Sequence, residues 1–179
     1  MTDRYFSRKQ LHILGQAVDI AEEMTSNFYK LSLSQWKRYP FDIKTLSNWT
    51  GENDVGDVFA FLKREDICKK KEQELSSKRR GTYIVCLQDH QIISALERDG
   101  ELKLLPLLSY ILTHELVHIV RFCNFQVSFE LWEEQKRAKE EKVVHKTTYN
   151  ILKKLPLSNL QYILDSYNPD KRNIDICMV

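Results

Sequence analysis

A chain of 179 residues, 42% hydrophobic and 29% charged, is long enough to bury a sizeable core and has the composition of one ordinary globular domain. The formal net charge of +2 gives no reason to expect a polyanionic partner, although a pI near 8.3 leaves room for a local basic patch. Four cysteines, at 68, 86, 123 and 177, are scattered and form no CxxC pair, which argues against a zinc knuckle or dithiol motif and for reduced thiols in a cytoplasmic setting.

The opening stretch, MTDRYFSRKQLHILG, lacks the long apolar segment and small-residue cleavage site of a secretory leader, so export is not expected. A first helix is predicted because Leu11, Leu14, Val18, Ala21, Met24, Phe28 and Leu31 recur at spacings of three and four, with Ser7 and Gln10 placed as a capping box. Residues 32 to 53 hold Pro40, Gly51 and several Ser, Asn and Asp, and read as connections around short helical turns. The spacing of Val55, Val58, Phe59 and Leu62 predicts another short helix. The polar run CKKKEQELSSKRRG, 68 to 81, reads as a solvated linker or exposed helix; a nucleic-acid contact through Lys69 to Lys71 and Lys78 to Arg80 is the lesser alternative.

TYIVCLQ, Thr82 to Gln88, is rich in β-branched and aromatic residues and is the clearest strand. A short helix near His90 to Glu97 and a turn at Asp99-Gly100 lead to a long apolar helix from about Pro106, a residue suited to a first helical turn. After a loop near Cys123 to Ser128, a second long helix is expected from roughly Leu131 to Leu155, stopped by Pro156. Leu157, Leu160, Ile163 and Leu164 suggest one more short helix before a polar tail. The window Leu102 to Phe122 is the most hydrophobic, but Lys103, Pro106, His114, Glu115 and His118 interrupt it, so no membrane span is expected. The expected class is α+β, predominantly helical, in a single domain: an N-terminal helical part over 1–80, a core over 81–165 and a polar tail over 166–179.

Within the apolar helix stands His114-Glu115-Leu116-Val117-His118, a match to H-E-x-x-H. Positions i and i+4 share one helix face, so both imidazoles can reach one metal ion from one rigid element. Glu115, rotated about 100° from His114, would lie beside the metal, where it can take a proton from a metal-bound water without being a ligand. Zinc suits this set because it binds neutral imidazole and lowers the pKa of its water to about 7. The surrounding Leu107, Leu108, Ile111, Leu112, Leu116, Val117, Ile119 and Val120 bury the motif, and a carboxylate buried between two histidines calls for a cation.

The motif resembles that of the zincin metallopeptidases. The resemblance implies a small sheet, an HExxH helix and a second ligand-bearing helix, with Glu115 as general base for attack of water on a peptide carbonyl of a peptide or protein substrate. The metzincin extension HExxHxxGxxH is absent, since Arg121 and Asn124 stand where its glycine and histidine would. Peptide deformylases need an upstream cysteine segment that nothing near Cys68 or Cys86 matches. The gluzincin, thermolysin-like branch takes a glutamate from a downstream helix, commonly in an ExxxD arrangement. Here Glu141 follows His118 by 141 − 118 = 23 residues, a short gluzincin-like spacing.

Val144, Thr148, Ile151, Leu152 and Leu155 define the apolar face of the second long helix, and Glu141 points near its middle. Glu141 is therefore ranked first as third ligand, with His145, near the edge of that face, as alternative ligand, or as an outer-shell partner or transition-state stabiliser. Glu134 and Glu140, the latter towards the opposite edge, remain further options. His145 stands where the family has an aspartate, a departure from its pattern. Tyr110, His90, Arg121 and Tyr149 could each donate to a developing oxyanion, with Tyr149 preferred because it follows His145 by one turn. By the same resemblance, strand 82–88 would pair with an extended substrate at a sheet edge; internal pairing is the equal alternative. A non-catalytic zinc-stabilised binding or regulatory module is the alternative function, and oligomeric state is not legible.

Overall fold

Ser7 opens the first helix, α1 (Arg8–Phe28), through the expected capping box, its hydroxyl accepting from Gln10 N–H and the Gln10 side chain accepting from Ser7 N–H. The computed structural model describes residues 4–48, 56–65, 81–124, 134–167 and 177–178. After α1 come α2 (Leu33–Trp36), β1 (Phe41–Lys44), a 3-10 turn (Leu46–Asn48), β2 (Ala60–Glu65) and β3 (Thr82–Leu87). They are followed by α3 (Asp89–Arg98), α4 (Leu104–Cys123), α5 (Glu134–Leu152), α6 (Leu160–Ser166) and β4 (Cys177–Met178). The protein is α+β and mostly helical, with one small sheet. The run 68–80 falls outside the described residues.

α4 is the spine. Every residue from Pro106 to Val120 is buried, so this helix is surrounded on all sides. α1 lies along it, and α5, α6, β2 and β3 also touch it. The buried stripe of α1 is Leu14, Ala17, Ala21 and Thr25, whereas Leu11 and Phe28, counted from sequence as part of that face, are exposed. The difference has a steric cause: Ala17 and Ala21 are fully buried, and small side chains let two helix backbones approach closely. Among the described residues, no helix is long and apolar enough to cross a membrane.

The sheet runs β1-β3-β2-β4. β3 pairs parallel with β1, Ile43 opposite Val85, and antiparallel with β2, Leu62 opposite Val85. Tyr83 to Leu87 are all buried, as expected of a strand covered on both faces. Two expectations fail here. Residues 60–65, read as part of a helix, form a strand, because pairing with β3 satisfies its backbone and leaves Ala60 and Leu62 inward with Lys63 outward. β3 itself has neighbours on both sides, so no edge of it is open to a substrate backbone.

Residues on both sides of position 81 share one sheet and one apolar core, which joins Leu14 and Ala17 to Leu107, Ile111 and Val144. Asp89, fully buried at the start of α3, reinforces the junction: its carboxylate accepts from Phe6 N–H at 3.0 Å and Leu46 N–H at 3.3 Å. Burial nevertheless raises its pKa above the ordinary value, more than those bonds lower it.

Candidate metal centre

Tyr110, His114, His118 and Phe122 recur every fourth residue of α4 and so form one stripe. Three of them interlock: His118 stacks on Phe122 with centroids 5.7 Å apart, and His114 meets His118 edge-on at 4.9 Å. α5 packs against α4 and brings Glu141 and His145 to the same stripe.

Glu141 reaches both motif histidines. Its Oε2 lies 3.2 Å from His114 Nε2, its Oε1 lies 3.3 Å from His118 Nε2, and the two Nε2 atoms are 3.2 Å apart. Zinc bonds of about 2.0 Å in a tetrahedron set neighbouring donor atoms about 3.3 Å apart. The two Nε2 atoms therefore stand at the spacing of two tetrahedral corners, each with one Glu141 oxygen at that same spacing, and the chemistry of the set, two imidazoles and a carboxylate, suits zinc. His114 Nδ1 and His118 Nδ1 are buried without a hydrogen-bond partner among the described residues, and both Nε2 atoms face Glu141, the side from which a metal would replace the Nε2 protons. The residues present fit the ion.

Electrostatics follow from burial. Burial would push the Glu141 carboxyl up, but hydrogen bonds from His114 and His118 and their charge hold it well below the usual carboxylate range. Burial, the largest single influence, would lower His114; the bond to Glu141 and the charges of Glu141, Glu115 and Glu140 together outweigh it and raise the imidazole. His145 is pushed down to about 3, first by burial and then by the positive charge of His114, so it is neutral at ordinary pH.

Glu115 is fully buried. Its charge contributes to raising both the His114 imidazole and the Cys86 thiol of β3. Burial pushes the Cys86 thiol up to about 12, and among the described residues Cys86 and Cys123 are free thiols.

Glu140, expected towards the far edge of the apolar face, enters the interface but meets Arg121 rather than the histidine pair. It is buried, its carboxylate gripped by Arg121 with Nη2 to Oε2 at 2.7 Å, and its Oε1 is 4.0 Å from His118 Nδ1. The cause is the facing helix: Arg121, three residues after His118, supplies the counter-charge that lets this carboxylate enter the interface. Arg121 is thereby committed to an ion pair. Glu134 is exposed, away from the cluster. Tyr149, the preferred oxyanion donor, is also exposed, with Lys153 Nζ 5.8 Å from its ring centre, because its place on α5 turns it out of the interface that holds His145. His90 sits half-buried in the first turn of α3.

Tyr110, rather than Tyr149, is the tyrosine that meets the cluster. Buried one turn before His114, its hydroxyl is 2.7 Å from His145 Nδ1 and 3.5 Å from the carbonyl oxygen of Tyr167, whose ring stacks on its own. The four-residue spacing of Tyr110, His114 and His118 was the available signal; Tyr167 had none. Compared with known protein families, curated proteins and solved structures, the chain finds no match.

Proposed function

We propose that this chain is a zinc-dependent amide hydrolase, most simply a peptidase, with His114, His118 and Glu141 as metal ligands and Glu115 as general base. The observation that carries the proposal is the pair of Nε2 atoms 3.2 Å apart, each facing a Glu141 oxygen at 3.2 or 3.3 Å, on a helix turn that also carries a fully buried glutamate. When bound, zinc supplies Lewis acidity, polarising a carbonyl and acidifying water. His114 and His118 hold their ring planes through packing against each other and Phe122. Glu115 takes the proton from the attacking water on a carboxylate oxygen and delivers it to the leaving amine nitrogen, so the C–N bond breaks without expelling an unprotonated amide anion.

A second reading, an enclosed zinc site that stabilises a binding or regulatory module, draws on the full burial of both motif histidines and on the closeness of His145. The two part on one experiment. Zinc-loaded protein is incubated with a mixed peptide library beside Glu115→Gln. Cleavage by the parent alone, with equal zinc in both, supports the hydrolase; an untouched library with full zinc occupancy sinks it in favour of the module.

A further inference from the structure

His145 has more to do than brace a ligand. Its ring centre is 4.5 Å from that of His114, and ligand atoms from His114, Glu141 and His145 all lie within 4.8 Å of one another. Its Nδ1 is engaged by the Tyr110 hydroxyl at 2.7 Å. A neutral imidazole has one N–H and one lone pair, so the direction of this bond fixes what Nε2 can do. Were the phenol to donate to Nδ1, Nε2 would carry the proton and could only donate, as an oxyanion stabiliser must. The phenol has another acceptor, the Tyr167 carbonyl oxygen at 3.5 Å, which can only accept. With the phenolic proton on that carbonyl, the phenol oxygen accepts from His145 Nδ1–H and Nε2 keeps its lone pair.

We infer that His145 is a fourth protein ligand of the metal held by His114, His118 and Glu141, in a tautomer fixed by Tyr110 and the Tyr167 carbonyl. The inference rests on the proposed metal centre and deepens it. It assigns Tyr110 as the positioning residue for His145, the arrangement in which an outer partner orients a metal-bound imidazole. It also removes His145 from the list of oxyanion donors, because the tautomer that ligates cannot donate. Four protein donors complete a tetrahedron, so water reaches the ion only when the coordination number rises to five or His145 withdraws.

The test counts ligands. X-ray absorption at the zinc edge of the full chain should show three imidazoles, falling to two in His145→Ala. Chelator competition should show zinc affinity reduced more than about a hundredfold in His145→Ala and by about ten- to a hundredfold in Tyr110→Phe, the latter being the usual range for an outer partner. Two imidazoles in the parent, with affinity unchanged in both variants, would overturn the role of His145 while leaving the three-donor site standing. A parent that takes up no zinc, or a His114→Ala variant that holds it at parental affinity, overturns the metal centre and this inference together. If His145→Ala does not fold, the parental imidazole count and Tyr110→Phe decide alone.

Discussion

His114 Nε2 and Glu141 Oε2 lie 3.2 Å apart across the contact between α4 and α5, joining the motif helix to the acidic end of its partner. Both side chains are shielded from solvent, so neither can lose its partner and simply hydrate. Removing His114 would leave the Glu141 carboxylate with His118 as its remaining imidazole partner, at a cost of about 1.5–3 kcal/mol for one hydrogen bond to a charged group.

Glu141→Gln tests that coupling without changing shape. The variant should fold, because an amide still bonds to imidazole, but its zinc affinity should fall steeply since a neutral amide is a poor zinc donor. Isothermal titration of the metal-free protein with zinc reads this directly; parental affinity would show that Glu141 is not a ligand.

Glu115→Gln should separate binding from turnover. Zinc content and thermal midpoint are expected to stay near parental values, while hydrolysis falls by about 10²–10⁴, the usual contribution of a positioned acid–base group. Equal loss of zinc and activity would instead make Glu115 a structural element of the site.

The pH dependence of the metal-free protein should report His145. Its folded pKa, about 3, lies below the ordinary imidazole value of 6.5, so the unfolded chain binds a proton that the folded one refuses, and stability falls as pH drops from 6.5. Glu141, depressed from 4.5, adds an acid-side loss only below that value, and His114, raised from 6.5, loses its contribution only above it. Between pH 4.5 and 6.5 His145 is therefore the group of this cluster whose titration changes stability. Urea unfolding across that window should show a slope of up to about 1.4 kcal/mol per pH unit, one proton's worth, that His145→Gln flattens. A slope equal in both proteins would assign the effect elsewhere.

Glu140→Ala should destabilise by about 3 kcal/mol, the lower end for breaking a buried pair, because the Arg121 side chain keeps 18% exposure and can partly hydrate. Differential scanning calorimetry of the variant against an exposed control, Lys142→Ala, is the measurement. No difference between the two would mean the ion pair carries no net stability.

Ala21→Leu should cost about 1–3 kcal/mol by forcing α1 away from α4, the usual penalty for overpacking a tight contact. Limited proteolysis should then cut α1 more readily. By the same logic, a chain beginning near Arg79 exposes the core face of α4 and strips β1 and β2 from β3, and is expected to be insoluble.

Several elements were legible because local chemistry and tertiary context agree on them. Ser7 and Gln10 cap α1 with bonds that close within three residues, and Thr82 to Leu87 is too β-branched to read otherwise. Residues 60–65 misled because Val55, Val58, Phe59 and Leu62, at helical spacing over so short a run, cannot exclude a strand, and pairing of 60–65 with β3 settles the matter. Glu140 was placed at the edge of the apolar face, but helix-face arithmetic scores hydrophobicity and cannot see that Arg121 on the facing helix takes its carboxylate.

The sequence by itself determined the pair His114 and His118, since four residues along any helix bring two side chains to one face, and it determined that Glu115 stands beside them. Tertiary structure alone decided which groups of α5 meet that pair. The rotation of α5 is fixed by what α4 offers along its length, Tyr110 for His145 and Arg121 for Glu140, and Glu141 is carried between them to the histidines. That rotation is a property of two packed helices, and no spacing within either one encodes it.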